Sequence, residues 1–322
     1  MLKPKIITTT VLAACFGVAS ATAMAGVPES KDPIKIILNN WTSQLVLANI
    51  SGDLLKKIGY NVEYKPSDTQ LQFTAMGNGD MDYQVEIWEG TMKTSFEKQV
   101  KAGRMLDAGS HKATTREEWW YPLYVEKICP GLPDWHALNA CAKKLSTPET
   151  APKGRYLAGP VDWEKPDQER VDALHLNFEV VNAGQASALW AELKSASQRK
   201  EPIILFNWSP NWVGAVYPGK FVNFPDWSPK CETDASWGIN PKATYDCGNP
   251  KNGYLKKGVW SGFPKKWGCA YELIKNISFT NPQIDKVAAK VDVDHMKPEA
   301  AAAQWVKDNA SVWKVWIPAC AS

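Results

Sequence analysis

The stretch Ile34-Lys35-Ile36-Ile37-Leu38-Asn39-Asn40-Trp41-Thr42-Ser43-Gln44, continued through Leu45, Leu47, Ile50, Leu54, Leu55 and Ile58 to Val62-Glu63-Tyr64, decides the fold. Ile34 to Leu38 is a short apolar run of strand length, Gln44 to Ile58 carries apolar residues at helical spacing, and Val62 to Tyr64 opens a second strand. Gly59 follows the helix, where a residue without a Cβ ends it cheaply in the left-handed conformation. The unit repeats more loosely, with a helix near Leu71 to Gly77 and a strand at Tyr83 to Trp88. The opening part of the chain is therefore expected to be α/β.

Upstream, Lys3 and Lys5 precede an uncharged stretch from Ile6 to Ala25 ending in Ala23-Met24-Ala25, the pattern of a cleavable secretory signal over residues 1–25. Thr8, Thr9, Thr10 and Ser20 dilute the stretch, and no Arg or Lys stop follows, which argues against a membrane anchor. Leu12-Ala13-Ala14-Cys15 resembles a lipobox, but the apolar run before it is short for acylation at Cys15. Cleavage after Ala25 and release into the periplasm is the expectation. Without Lys3 and Lys5 the 37 basic side chains become 35 against 34 acidic ones. With neither a Lys/Arg run nor a basic helix, the chain lacks the clustered excess that nucleic acids or anionic membranes require. A neutral or zwitterionic partner fits better.

The length exceeds what one hydrophobic core comfortably serves, so two lobes are expected. After Trp119-Trp120-Tyr121-Pro122-Leu123-Tyr124, the segment Cys129-Pro130-Gly131-Leu132-Pro133 marks a boundary into a helix at Trp135 to Asn139. Beyond it, Arg155 to Ala158, Val180 to Val181 and Ile203 to Phe206 read as strands and Ala186 to Ala196 as a helix. Asn223 to Tyr254 is dense in Pro, Gly, Asn, Asp and Cys, the texture of a long irregular excursion. Helical texture returns at Ile284 to Val291 and Ala300 to Trp316. The expected partition is residues 26–123 with 265–322 as one α/β lobe and 124–264 as the other, the ligand cleft between them.

Six cysteines remain once Cys15 leaves with the signal: Cys129, Cys141, Cys231, Cys247, Cys269 and Cys320. An even number in an exported chain suggests disulfides. The sequence leaves the pairing open; joining nearest neighbours gives Cys129–Cys141, Cys231–Cys247 and Cys269–Cys320. No Cys-x-x-Cys occurs and the four histidines are scattered, so neither structural zinc nor any cofactor is expected.

The chemical signal is the 16 tryptophans, and above all their placement. Trp41, Trp88, Trp163 and Trp208 each come just after an expected strand, at the edge where open α/β sheets bind ligands. Two such edges facing each other would bring Trp41 and Trp88 of one lobe against Trp163 and Trp208 of the other. A methylated onium nitrogen donates no hydrogen bond and is recognised through contact area and the negative faces of aromatic rings, at about 0.5–2 kcal/mol per contact. The competing reading is that each ring packs in its own lobe.

Asn207-Trp208-Ser209-Pro210-Asn211-Trp212-Val213, Val85-Glu86-Ile87-Trp88-Glu89 and Asn40-Trp41-Thr42-Ser43-Gln44 resemble the signatures of glycine betaine, proline betaine and trimethylamine N-oxide binding proteins of ABC importers. The resemblance runs through essentially the whole mature chain. It implies two α/β lobes joined by a hinge, cage roles for Trp88, Trp163 and Trp208 with Trp41 as the fourth wall, and a membrane permease as partner; the chain itself is expected to be a monomer. Where the choline-binding branch has an Asp two residues after the first cage Trp, this chain has Ser43, which shifts the expected ligand toward a zwitterion such as trimethylamine N-oxide or glycine betaine.

The zwitterion's oxygen needs a partner, because burying it unpaired costs on the order of 1–3 kcal/mol. Candidates are backbone amides beside Trp41 or Trp163, the hydroxyls of Tyr121 or Tyr124, and the carboxyls of Glu86 or Glu89; exposed turn carboxylates are the blander reading of the two glutamates. Trp119 and Trp120 either line the hinge side of the cleft or pack in the hinge itself. No Gly-x-Ser-x-Gly, His-Glu-x-x-His or phosphate loop recommends an enzyme. A sugar-binding protein is the closer rival, but sugar sites add several polar side chains per ring.

Overall fold

The structure, a computed structural model, describes residues 26–321, so the expected signal over residues 1–25, with Cys15, lies outside the described residues. β1 (Ile34–Leu38), α1 (Thr42–Lys57) and β2 (Val62–Pro66) form the expected unit, with Ile34 opposite Val62 in a parallel pair. Val46, Leu47, Ile50, Leu54 and Leu55 bury one face of α1. The chain leaves the helix through Gly59 at φ +98°, the left-handed region that glycine occupies without steric cost. α2 (Leu71–Asn78) leads to β3 (Tyr83–Trp88), which joins β1 in parallel and is buried at all its positions. α3 (Glu89–Lys101) and the 18-residue strand β4 (Met105–Pro122) follow.

The second half runs α4 (Trp135–Ala140), β5 (Gly154–Ala158), α5 (Asp167–Ala173), β6 (Phe178–Asn182), α6 (Ala186–Arg199), β7 (Ile204–Ser209), α7 (Val213–Val216) and β8 (Gly219–Phe221). β9 (Gly253–Trp260), α8 (Phe263–Lys266), α9 (Gly268–Asn276), α10 (Asn281–Asp292), α11 (Pro298–Asp308) and α12 (Ala310–Trp313) complete the chain. The strand order is β2-β1-β3-β9-β4-β7-β5-β6, with β8 also on β4. β5, β6 and β7 are parallel, as are β1, β2 and β3, while β9 and β4 run antiparallel to their neighbours. Two α/β lobes result, sharing one strand.

The boundaries between the lobes differ from the expected partition. β4 pairs with β9 through Thr115, then with β7 from Arg116 to Trp120, so it passes from one lobe to the other well before residue 123. β9, expected in the second lobe, lies between β3 and β4 of the first, where both of its edges find hydrogen-bond partners. Asn249 pins this return crossing beside the first: its N–H donates to Glu118 Oε2 at 2.8 Å and its Nδ2 to the Glu117 carbonyl at 2.6 Å. The helix expected over Ala300 to Trp316 is broken at Asn309, whose φ and ψ of −117° and 37° separate α11 from α12.

Cys129 is joined to Cys141, Cys231 to Cys247 and Cys269 to Cys320, with Cα–Cα distances of 5.6, 6.4 and 5.9 Å. The last bond closes a sequence separation of 51 residues and ties the C-terminus to α9. Replacing Cys269 and Cys320 together with Ser is expected to lower the free energy of unfolding by about 2–4 kcal/mol, through the freedom returned to a long unfolded loop. Urea denaturation of the variant beside the parent protein measures it.

Candidate ligand-binding site

Trp41 stands in extended backbone (φ −123°, ψ 148°) between the end of β1 and the first turn of α1. Trp88 is the last residue of β3, and Trp208 lies within β7 rather than past its end. Trp163 closes the single helical turn Val161–Trp163 after β5, and Gly159 is required there because a Cβ at that position would strike the Trp163 ring. The four side chains are 4 %, 4 %, 6 % and 4 % exposed for Trp41, Trp88, Trp208 and Trp163, and they meet across the lobes. Trp41 meets Trp163 with ring centroids 6.1 Å apart and planes at 84°, and Trp88 meets Trp208 at 6.5 Å and 77°. Trp163 and Trp208 close the second-lobe side at 5.4 Å and 79°. With Phe206, Thr69, Thr91, Met92 and Glu117 these rings line a cavity between the lobes.

A buried polar lattice sets the first-lobe wall. Gln44 Nε2 donates to the Ile37 carbonyl at 2.7 Å and to Gln84 Oε1 at 3.0 Å, Gln84 Nε2 donates to Asn39 Oδ1 at 2.7 Å, and Gln72 Nε2 donates to the Thr69 carbonyl at 2.6 Å. The lattice fixes the ends of β1 and β3 and the turn that carries Thr69. Glu86 is not the exposed turn carboxylate that its sequence position suggests, since it points inward from β3 and is fully buried. Its Oε2 accepts from Trp41 Nε1 at 2.7 Å, Trp88 Nε1 at 3.0 Å and Ser43 Oγ at 3.0 Å. Loss of hydration pushes its pKa up to about 7, against the pull of those three hydrogen bonds.

Glu117 reaches the cavity because β4 pairs it opposite Trp208. The Thr91 hydroxyl donates to its carboxylate, and Lys165 Nζ lies 4.0 Å from it, both partners nearly fully buried. Lys165 also donates to the Gly90 carbonyl at 3.2 Å and stands 5.3 Å from the Phe206 ring centroid. With the Thr69 N–H donating to Asp162 Oδ2 at 3.2 Å, these contacts clasp the lobes together. Thr69 Oγ1 and Trp163 Nε1 are buried at the cavity and have no hydrogen-bond partner among the described residues.

Of the expected site residues, the four tryptophans come together and two others do not. Glu89 starts α3 and turns away, accepting from the Tyr254 N–H at 3.0 Å and lying 3.7 Å from Lys93 Nζ. Tyr121 belongs to the part of β4 paired with β8, and its hydroxyl donates to Glu126 at 3.0 Å. The Tyr124 hydroxyl is taken by the Glu201 carbonyl at 2.8 Å. Trp119 packs in the second lobe, stacked on Tyr156 at 3.7 Å and donating to Asp167 at 2.8 Å, and Trp120 is buried where β4 meets β8. Thr69, Thr91, Met92, Glu117 and Phe206 carry no local sequence signature. Glu86 did carry one, a charge in the middle of a six-residue strand two residues before Trp88.

Residues 32–308 match the family described as the substrate binding domain of ABC-type glycine betaine transport system. The chain is 40% identical over 304 residues to the trimethylamine N-oxide-binding protein of Pelagibacter ubique, covering 92% of this chain and 94% of that one. Among solved structures it resembles the glycine betaine, L-proline-binding protein of Borrelia burgdorferi, with a TM-score of 0.73 at 20% identity over 90% of this chain and 98% of that one. It also resembles an ABC-transporter choline binding protein in complex with choline, with a TM-score of 0.71 at 19% identity over 90% and 92% of the respective chains. At such identities the structural likeness is one of fold. Among the described residues no helix is long and apolar enough to cross a membrane.

The position of Glu86 has a consequence for stability. Its carboxyl has a folded pKa raised from 4.5 to about 7, so it favours the folded state fully below the lower value and loses that contribution as pH rises through the upper one. Glu86→Gln should therefore gain stability relative to the parent protein as pH rises between those two values. Urea titrations of both proteins across that interval read the difference.

Proposed function

Since the chain belongs to the family of substrate-binding domains of ABC-type glycine betaine transport systems, we propose that it captures a compact methylated onium zwitterion, trimethylamine N-oxide in first place, in the tryptophan cage between its lobes. The observation that carries this reading is the meeting of Trp41 and Trp88 from one lobe with Trp163 and Trp208 from the other around one cavity. Neither lobe holds the cage alone, so ligand binding and lobe closure are one event. Each ring face offers about 0.5–2 kcal/mol to a methylated cation, more as water is excluded.

The unpartnered Thr69 Oγ1 and Trp163 Nε1 are donors suited to the ligand's oxygen. One N-oxide oxygen matches them, whereas a full carboxylate would also face the negative charge of Glu117. The 40% identical relative named for trimethylamine N-oxide supports the same choice. In this reading the protein is exported to the periplasm by residues 1–25, acts as a monomer, performs no chemistry on its ligand, and delivers it to a membrane permease. Choline is the second reading, favoured by Glu117, a carboxylate in the cavity lining where Ser43 supplies no charge.

Calorimetry with trimethylamine N-oxide, glycine betaine, choline, dimethylsulfoniopropionate and a sugar panel tests the proposal. Trimethylamine N-oxide is expected to bind tightest, and failure of every methylated ligand would overturn the cage. Trp208→Ala and Trp163→Ala should each weaken binding by roughly tenfold or more, equivalent to about 1.4 kcal/mol, with far-ultraviolet circular dichroism unchanged.

A further inference from the structure

Glu86 makes no contact with the cavity, yet three cage-side groups converge on one of its oxygens. Trp41 reaches it from the turn before α1, Ser43 from the first turn of α1, and Trp88 from the end of β3. Two indoles that are far apart in sequence thus share one acceptor, which sets the tilt of both rings relative to each other and to the cavity they line. The other oxygen, Oε1, is buried and has no hydrogen-bond partner among the described residues.

Nor does any cation offset the charge: among the described residues no ion pair includes Glu86, and the charged groups on the elements packed around it are engaged elsewhere. On β9, Lys256 pairs with Asp107 at 2.8 Å and Lys257 donates to the carbonyls of Lys275 and Ile277. On β4, His111 faces the Val85 carbonyl and the Phe279 N–H, while Glu117 is held by Thr91 and Lys165. On β1, the Lys35 charge acts on Asp82, just before β3, whose carboxyl also accepts from the Lys35 backbone N–H. On α1, Asp53 pairs with Lys56 at 3.5 Å.

A buried carboxylate without a counter-ion is costly, and a cation nearby repays part of that cost. Indole N–H groups donating to an anion are polarised, which makes their ring faces more negative toward a cation on the far side. We infer that Glu86 is a positioning residue that orients Trp41 and Trp88 and supplies, through their rings, the negative charge for which a methylated nitrogen in the cage is the counter-ion. The inference rests on the cage reading and adds a property that a purely apolar cage lacks: onium binding favours the ionised carboxylate and is linked to its titration. Burial raises that carboxylate's pKa to about 7, which places the linkage in an accessible range.

The test is calorimetry of trimethylamine N-oxide and glycine betaine with the mature protein from about pH 6 to about pH 8, where neither ligand titrates appreciably. In the parent protein affinity should rise with pH and level off above the carboxylate's pKa. Glu86→Gln, whose amide oxygen still accepts from the indoles, should bind roughly tenfold more weakly at the upper pH and show a flat profile, with its near-ultraviolet tryptophan spectrum retained. Glu86→Ala should lose more affinity and alter that spectrum.

Parent affinity and pH profile retained in Glu86→Gln would overturn the inference while leaving the cage standing. Failure of the parent protein to bind either ligand would instead sink the cage reading itself. If the Glu86 variants do not fold, Ser43→Ala decides: removing one donor to the carboxylate should move the midpoint of the profile to higher pH, and an unmoved midpoint refutes the linkage.

Discussion

A single strand, β4, serves both lobes. Its first part completes hydrogen bonds with β9 and its last part with β7 and β8, so the two halves of the molecule are joined by continuous backbone pairing rather than a loose linker. The pairing also delivers chemistry, because the register that puts Glu117 opposite Trp208 carries a carboxylate into the cavity. Glu118, the next residue, turns the other way and meets Arg170 at 2.7 Å with both side chains buried, anchoring α5 to the crossing.

The site built on this frame divides its labour by lobe. The first lobe holds Trp41 and Trp88 on Glu86, behind which the Gln44, Gln84 and Gln72 lattice locks the strand ends. The second lobe holds Trp163 and Trp208 by packing, with Phe206 and Trp190 against them at 5.0–5.6 Å. One wall is therefore polar behind its rings and the other apolar, and the two kinds meet at the cavity.

What the sequence revealed follows from where each segment's chemistry is spent. β1, α1, β2 and β3 were legible because their apolar residues pack locally with the period of their own element. β4 was not, since Arg116, Glu117 and Glu118 place three charges in a row within it, and only the second lobe's Lys165 and Arg170 show why the glutamates are buried. β9 was hidden by Lys256 and Lys257. Lys257 is fully buried, and its ammonium caps the carbonyls at the end of α9, a partnership between residues some twenty positions apart. The cage tryptophans were visible through their strand-end placement, whereas Thr69 and Phe206 join the site only once the lobes meet. Glu89 and Tyr121 misled because proximity to a cage residue along the chain does not set the direction of a side chain.

The return crossing at Asn249 lies directly beside β4, so the chain passes between the lobes twice within the width of neighbouring strands. Two adjacent crossings define an axis about which the lobes can fold, and they resist sliding along it. Glu117 belongs to the first of these crossings and to the cavity lining as well. Any rotation about so narrow a hinge line displaces the outer lips of the cleft further than the residues beside it.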